Sequence, residues 1–266
     1  MLVIAENVNA TKTVIGAALT ARKRGPIQEV ARRAVAAGAD ILDVNLGPAR
    51  KNGEDLMTFV IDALADVVSC QLCLDTTNAS AMEAGIDRCR ARGLPPPIVN
   101  SFSLQPEKLE QILPLAARYG CEIIGMTVGS SIPITAEDRL SLALELVTAA
   151  NEAGVGNDQI FIDPVVLPLG VDMGQRHAVA VQQVVAALPD MFDPPVRSIC
   201  GLTNISSGAP RHLRPAINNA FMAMLAAIGA NAVIADPLDP ECMRTVRLVR
   251  SLSDQSLYSV SDAELQ

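Results

Sequence analysis

The 266-residue chain contains no tryptophan, and aromatic residues make up only 3% of it. Its core must therefore be filled by Ala, Val, Leu and Ile, and the scarcity of aromatics limits any mechanism that relies on an aromatic stacking cage. Positive charge is also scarce: 21 Lys and Arg stand against 29 Asp and Glu, for a formal net charge of −8. Without a Lys/Arg-rich run, the chain lacks the footprint that nucleic acid or an anionic membrane surface requires, and neither is expected as a partner. Only two histidines occur, His177 and His212; they lie apart, lack metal-ligand spacing, and are expected to be structural or surface residues. Six cysteines (Cys70, Cys73, Cys89, Cys121, Cys200, Cys242) are too few and too scattered for a disulfide scaffold. Cys70-Gln-Leu-Cys73 has CxxC spacing, but residues three apart in an extended segment point to opposite faces, and no second pair completes a zinc site. No bound metal is expected.

A basic leader is missing as well, since Met1-Leu2-Val3-Ile4-Ala5 meets Glu6 at once. The longest uncharged run, Pro215 to Ala235, could span a bilayer by length alone. Its Asn218, Asn219, Gly229 and Asn231 make it read instead as a helix, a turn and a strand. A soluble, cytoplasmic protein with no membrane partner is the expectation.

What the chain does have is hydrophobic residues, 50% of the total, arranged in a repeating pattern. Short apolar runs alternate with longer helical segments eight times. The runs are Leu2–Glu6, Ile41–Asn45, Leu72–Asp75, Ile98–Ser101, Glu122–Thr127, Ile160–Asp163, Arg197–Thr203 and Ala232–Asp236. They are rich in Val, Ile and Leu without clean alternation, as for parallel strands covered on both faces. Between them, Pro26 suits a first helical position and Gly38 a stop. Thr135 with Asp138 resembles a capping box, and Asp239-Pro240 marks the start of the last helix. Pro114 should split the helical segment it interrupts. Eight strand–helix units in about 250 residues predict an α/β fold, a single-domain (β/α)8 TIM barrel over residues 1–252, followed by a polar tail at 253–266. A doubly wound open sheet has the same local signals and is the alternative.

The apolar runs repeatedly end in small acidic or amide residues: Glu6, Asn7 and Asn9; Asp43 and Asn45; Asp75, Thr76 and Asn78; Asn100 and Ser101; Thr127; Asp163; Thr203 and Asn204; Asp236. Any one of them could be an ordinary turn or helix-cap residue. In a parallel barrel, however, these ends share the face where ligands bind. Lys12, Arg50, Lys51, Arg211 and Arg214 are the basic residues near that rim, all in loops. No Lys ends a predicted strand, which argues against a Schiff-base aldolase. No GxGxxG or P-loop follows a strand, which argues against dinucleotide or triphosphate binding. Carboxylates and amides together suit a planar heterocycle whose edge carries adjacent amino, N–H and carbonyl groups.

Five segments sharpen this picture: Asp43-Val44-Asn45-Leu46-Gly47, Leu74-Asp75-Thr76-Thr77-Asn78, Asn100-Ser101, Ile162-Asp163-Pro164 and Gly201-Leu202-Thr203-Asn204-Ile205-Ser206. In this order, on five strand ends, they resemble the corrinoid-dependent methyltetrahydrofolate methyltransferases of the pterin-binding family. That group includes the acetogenic enzyme acting on a corrinoid/iron–sulfur protein and the folate domain of cobalamin-dependent methionine synthase. The likeness runs over about residues 1 to 252. It implies a (β/α)8 barrel in which Asp75, Asn100 and Asp163 hold the pterin edge, Asp43 and Asn45 line the pocket, and the Asn204 amide approaches N5. Glu6 and Asn9 match the family's first-strand motif, and Asn78 is a further accessory candidate. Asn7 stands where the family usually carries Arg, so one cation is missing there.

The reaction implied is methyl transfer between N5 of 5-methyltetrahydrofolate, the substrate, and the cobalt of a corrinoid (cobalamin). No Asp-x-His-x-x-Gly run is present, so a separate corrinoid protein is the expected partner, and the family resemblance adds a homodimer. Dihydropteroate synthase is the alternative within the fold, although its Asn-Val-Thr-Pro-Asp-Ser-Phe-Ser-like run and late Ser-x-Arg motif are not found. A non-catalytic folate- or corrinoid-binding subunit and a metal-dependent aldolase are the readings from other classes.

Overall fold

All eight apolar runs form strands in the computed structural model, which describes residues 1–49, 51–253 and 255–265. The strands are β1 (Leu2–Asn9), β2 (Ile41–Gly47), β3 (Gln71–Thr76), β4 (Ile98–Phe102), β5 (Glu122–Met126), β6 (Ile160–Asp163), β7 (Arg197–Gly201) and β8 (Ala232–Ala235). Every neighbouring pair is parallel, and β8 returns to β1, so the sheet closes in chain order. This is the (β/α)8 TIM barrel expected from the sequence, and it disposes of the open-sheet alternative.

The helices follow their strands. They are α1 (Thr13–Thr20), α2 (Arg24–Ala36), α3 (Gly53–Ala65), α4 (Ala79–Ala91), α5 (Pro106–Gln111), α6 (Leu113–Tyr119), α7 (Ala136–Glu152), α8 (Gly174–Met191), α9 (Arg214–Ala227) and α10 (Pro240–Leu252). Their starts are written locally. Asn78 caps α4 by accepting from the Ala81 N–H at 3.1 Å, Thr135 caps α7 from Asp138 at 3.1 Å, and Asp239 caps α10 from Glu241 at 3.0 Å. Pro114 separates α5 from α6, as its missing donor demands. Pro26 lies two residues inside α2 and not at its first position; a proline is still tolerated there because first-turn N–H groups have no intrahelical acceptor. The long uncharged run resolves into α9, a turn at Gly229 (φ +88°) and β8. Among the described residues no helix is long and apolar enough to cross a membrane.

The core is layered. One inward residue from each strand (Ile4, Ile41, Cys73, Ile98, Ile124, Phe161, Ile199, Ala232) fills the middle of the barrel. Strand residues of opposite parity, such as Leu42, Leu72, Leu74 and Val99, pack outward beneath the helices. Contact there is close: a Cβ on Gly85 of α4 would meet Leu74 Cδ1 and Met57 Cγ at 2.8 Å each, so only glycine lets α4 sit this near the sheet. Cys73 points inward while Cys70 packs against the outer layer, which separates the CxxC pair as the extended geometry required. At the N-terminal end, Glu122 accepts from Arg197 at 2.6 Å and from Gln71 at 2.8 Å, and the Arg197 guanidinium lies 3.9 Å from the Phe161 ring centroid. These groups form a polar floor under the apolar layer.

Candidate active site

Two-residue periodicity sets the chemistry of the opposite end. The inward position two residues beyond the apolar layer is Glu6, Asp43, Asp75, Asn100, Met126, Asp163 or Gly201 on strands β1 to β7, and β8 continues through Ile234 to Asp236. The polar residues that ended the apolar runs therefore project from the C-terminal mouth of one barrel.

Irregular pairing adds more side chains to this rim. Register shifts occur in β1 between Ala5 and Val8, in β2 between Asn45 and Gly47, and in β4 between Asn100 and Phe102. Such bulges re-aim side chains at barrel rims. In β1 the bulge brings both Glu6 and Asn7 to the mouth: Glu6 Oε2 accepts from the Thr203 hydroxyl at 2.6 Å, and Asn7 Nδ2 donates to Asp236 at 2.7 Å. Lys12 stands over this quarter, 3.7 Å from Glu6 and 3.8 Å from Asp236. Asn7 Oδ1 is buried without a hydrogen-bond partner among the described residues.

Opposite lies a connected cluster on β2, β3 and β4, where Asn45, Asp75 and Asn100 are register neighbours. Asn45 Nδ2 donates to Asp75 Oδ2 in a short hydrogen bond, while its Oδ1 accepts from the Gly47 N–H at 3.0 Å. Deeper in the barrel, Asp43 is nearly inaccessible (3% exposed) and accepts from Asn100 Nδ2 at 3.4 Å. Burial, then the neighbouring Asp75 and finally Glu6, push the Asp43 carboxyl up to about 8, against hydrogen bonds from Cys73 and Asn100. Burial raises Asp75 to about 6, with Lys108 on α5 pulling the other way. Burial and mutual repulsion thus favour a shared proton on this pair over two negative charges.

Asp163 occupies the β6 end. Its Oδ1 accepts from the Val165 N–H at 2.8 Å, and its carbonyl accepts from the Thr127 N–H at 2.9 Å. Burial raises its carboxyl to about 6, with Val165 and the Arg139 charge opposing. Val165 holds φ at +63°, a conformation that costs a β-branched residue about 1–3 kcal/mol and must be imposed by its surroundings.

Asn204 lies in a short 3-10 helix, Leu202–Ser206, directly after β7. A Cβ on Gly201 would stand 2.8 Å from Asn204 Nδ2, so the Asn204 amide occupies the space that the inward-facing glycine leaves empty. Asn204 thereby stands at the C-terminal end of β7, on the rim where β3 and β6 carry Asp75 and Asp163.

Two accessory candidates serve the loops around them. The Asn78 amide caps α4 and donates to Ala49 O at 3.0 Å, and Asn9 Oδ1 accepts from the Thr11 N–H and hydroxyl at 2.9 and 2.7 Å. Of the rim cations, Lys12 reaches the mouth residues, Arg211 and Arg214 are exposed, and Arg50 lies outside the described residues. Three features carry no mark in the sequence: Lys108 is half-buried near Asp75, Arg139 is wholly buried behind Asp163, and His177, of the two expected kinds the structural one, is the buried partner of Arg139. None of the three ends a strand, and helical spacing alone carried no signal for them.

The chain is similar to known proteins in sequence and in fold. Residues 6–236 match the family model described as pterin binding enzyme. Over 249 residues the chain is 26% identical to the methylcorrinoid:tetrahydrofolate methyltransferase of Eubacterium limosum, covering 92% of this chain and 89% of that protein. It is 24% identical over 232 residues to methionine synthase of Mycobacterium leprae, spanning 84% of this chain but only 19% of that larger protein. Among solved structures, the dihydropteroate synthase of Coxiella burnetii with pteroic acid superposes with a TM-score of 0.70 at 16% identity, covering 96% of this chain and 94% of that one. With the family model spanning β1 to β8 and the polar mouth it encloses, the chain belongs to the pterin-binding enzyme family.

Proposed function

We propose that this protein is a methyltransferase that moves a methyl group between N5 of 5-methyltetrahydrofolate and the cobalt of a corrinoid. The corrinoid is a second substrate, brought by a separate protein, and its cobalt supplies the other methyl-carrying centre. The similarity to the E. limosum methyltransferase along nearly the whole of both chains favours this reaction over pteroate synthesis. The reading is supported by the Asn204 amide lying over the bare Gly201 at the C-terminal end of β7, on the rim to which β3 and β6 bring Asp75 and Asp163.

In this proposal the chain's residues divide the work. Asp75 and Asp163 are acceptors for the donor-rich edge of the pterin, where a charge-assisted bond orients more strongly than a neutral one. Asn100 and Asn45 brace the two carboxylates of the β2–β4 cluster. Asn204 donates to N5, which must gain a proton or a strong hydrogen bond as its carbon–nitrogen bond weakens, because a tertiary amine leaves poorly. Positioning and directed donors of this kind each contribute several kcal/mol in general. The same proposal carries a cytoplasmic homodimer, a barrel over residues 1–252 and a polar tail at 253–266.

The test is direct. Mixed with 5-methyltetrahydrofolate and cob(I)alamin, the protein should convert the cobalt spectrum to that of the methylated corrinoid. Folate binding with no methyl transfer to free or protein-bound corrinoid would reject the assignment, as would formation of pteroate.

A further inference from the structure

Arg139, on α7, is the largest side chain with no access to solvent. Its partners among the described residues are three backbone carbonyls and one ring nitrogen. Nε donates to Pro133 O at 2.8 Å, one terminal nitrogen donates to Pro164 O at 2.5 Å and Val165 O at 3.2 Å, and the other lies 2.5 Å from His177 Nδ1. A guanidinium has no acceptor, so His177 Nδ1 accepts and the ring carries its proton on Nε2. Burial and the adjacent guanidinium both hold the imidazole below its usual range, which keeps it neutral.

We infer that Arg139, backed by His177, is a positioning residue for Asp163: one guanidinium ties the loop leaving β5, the loop leaving β6 and helix α8 into a frame that sets the Asp163 carboxylate. The Pro133 bond reaches the first loop, the Pro164 and Val165 bonds the second, and the His177 contact the helix. Val165 is the pivot. Arg139 grips its carbonyl, its φ is +63°, and its N–H donates to Asp163 Oδ1. A charge is an expensive way to fill a core, because an apolar side chain of similar volume avoids the desolvation penalty. Placing one behind an ionisable carboxylate suits holding that carboxylate in its charged form. The groups facing Asp163 from the packed elements are Arg139 on α7 and the Cys200 thiol on β7, with neutral His177 on α8 behind Arg139. Burial, and next the Asp163 charge, push the Cys200 thiol well above its ordinary value, leaving Arg139 as the charged partner.

The role of Asp163 toward the pterin rests on the proposed function, so the test is arranged to separate the two. The Asp163 carboxyl is titrated by carbon NMR in the ligand-free protein, and amide exchange of Val165 is measured, in wild type, Arg139→Lys, Arg139→Met and His177→Phe. Arg139→Met should move the Asp163 midpoint upward by about one pH unit. Arg139→Lys keeps the charge but loses the fork; it should speed Val165 exchange by roughly tenfold or more and weaken pterin binding while leaving the saturated rate within about twofold. His177→Phe should speed the same exchange, and it carries the test if Arg139→Met does not fold. Folded variants with an unmoved midpoint and wild-type exchange would overturn the role of Arg139, whatever the folate result. Wild-type protein that fails to bind 5-methyltetrahydrofolate would overturn the proposed function and leave the titration and exchange to judge the frame.

Discussion

Asn45 donates its amide N–H to Asp75 from the register position directly beside it, and Asp75 Oδ1 has no protein donor among the described residues. One oxygen is thus fixed by the scaffold while the other remains for a ligand. Asp75→Asn should mainly weaken pterin binding, by roughly 10- to 100-fold for a lost charge-assisted bond. Unchanged affinity in a folate titration would remove Asp75 from the binding surface.

Asn204 and Gly201 form a second linked pair. Asn204→Ala should lower the single-turnover rate by about 100-fold, the order found for a directed transition-state donor, with a smaller loss of affinity. Gly201→Ala should have a related effect by displacing the Asn204 amide, since φ at Gly201 is an ordinary −70° and the fold has no reason to suffer. Equal losses of affinity and of rate in both variants would count against a role at N5.

Folate binding should also depend on pH. Asp75 and Asp163 each titrate near 6, so affinity should be full above pH 7 and decline as the pH falls through 6 and the acceptors become protonated. Removing Lys108, the cation opposing burial at Asp75, should move the Asp75 part of this decline to higher pH. Isothermal titration of wild type and Lys108→Met between pH 5 and pH 8 would show either the shift or its absence.

Stability should move the opposite way. The Asp43 carboxyl is near 8 in the fold and near 3.8 when unfolded, so the native state binds more protons between those values. Its contribution is most favourable below the unfolded value and is progressively lost as the pH rises through 8. Asp43→Asn removes this liability. It should raise Tm at pH 8 by several degrees, at about 2–4 °C per kcal/mol for chains of this size, with no gain at pH 4. Equal melting shifts at both pH values would contradict the burial assigned to Asp43.

Asp62 offers a control far from the mouth. It accepts two bonds from Arg88 on α4, at 2.8 and 2.7 Å, and another from Arg92 at 2.8 Å. Asp62→Ala should cost about 1.5–3 kcal/mol of stability by breaking charge-assisted bonds, and leave folate affinity untouched. Chemical denaturation and a folate titration would check both halves.

The barrel was legible in the chain because its signals are local. Each of the eight strands has a short Val/Ile/Leu run, and caps such as Thr135 and Asp239 act within three residues of themselves. The polar rim was legible for a related reason: Asp43, Asp75, Asn100 and Asp163 each sit two residues beyond an inward apolar residue on the same strand. What stayed hidden depends on distance through space. Nothing near Arg139 in the chain announces that its partners are Pro133, Pro164, Val165 and His177. The β1 bulge likewise comes from pairing with β2, so the shared orientation of Glu6 and Asn7 could not be read from their own sequence. Asn78 shows the converse, since an amide at a strand end satisfied the expected pattern while its polar atoms serve α4 and Ala49.

The ion-paired floor of Glu122, Arg197 and Gln71 makes the barrel a blind well. Whatever reacts inside must enter and depart through one opening. In the proposed reaction the small folate has to be seated before a bulky carrier covers it, and spent folate is trapped until that carrier lifts away. Turnover should therefore follow a compulsory order, with the carrier arriving last and departing first.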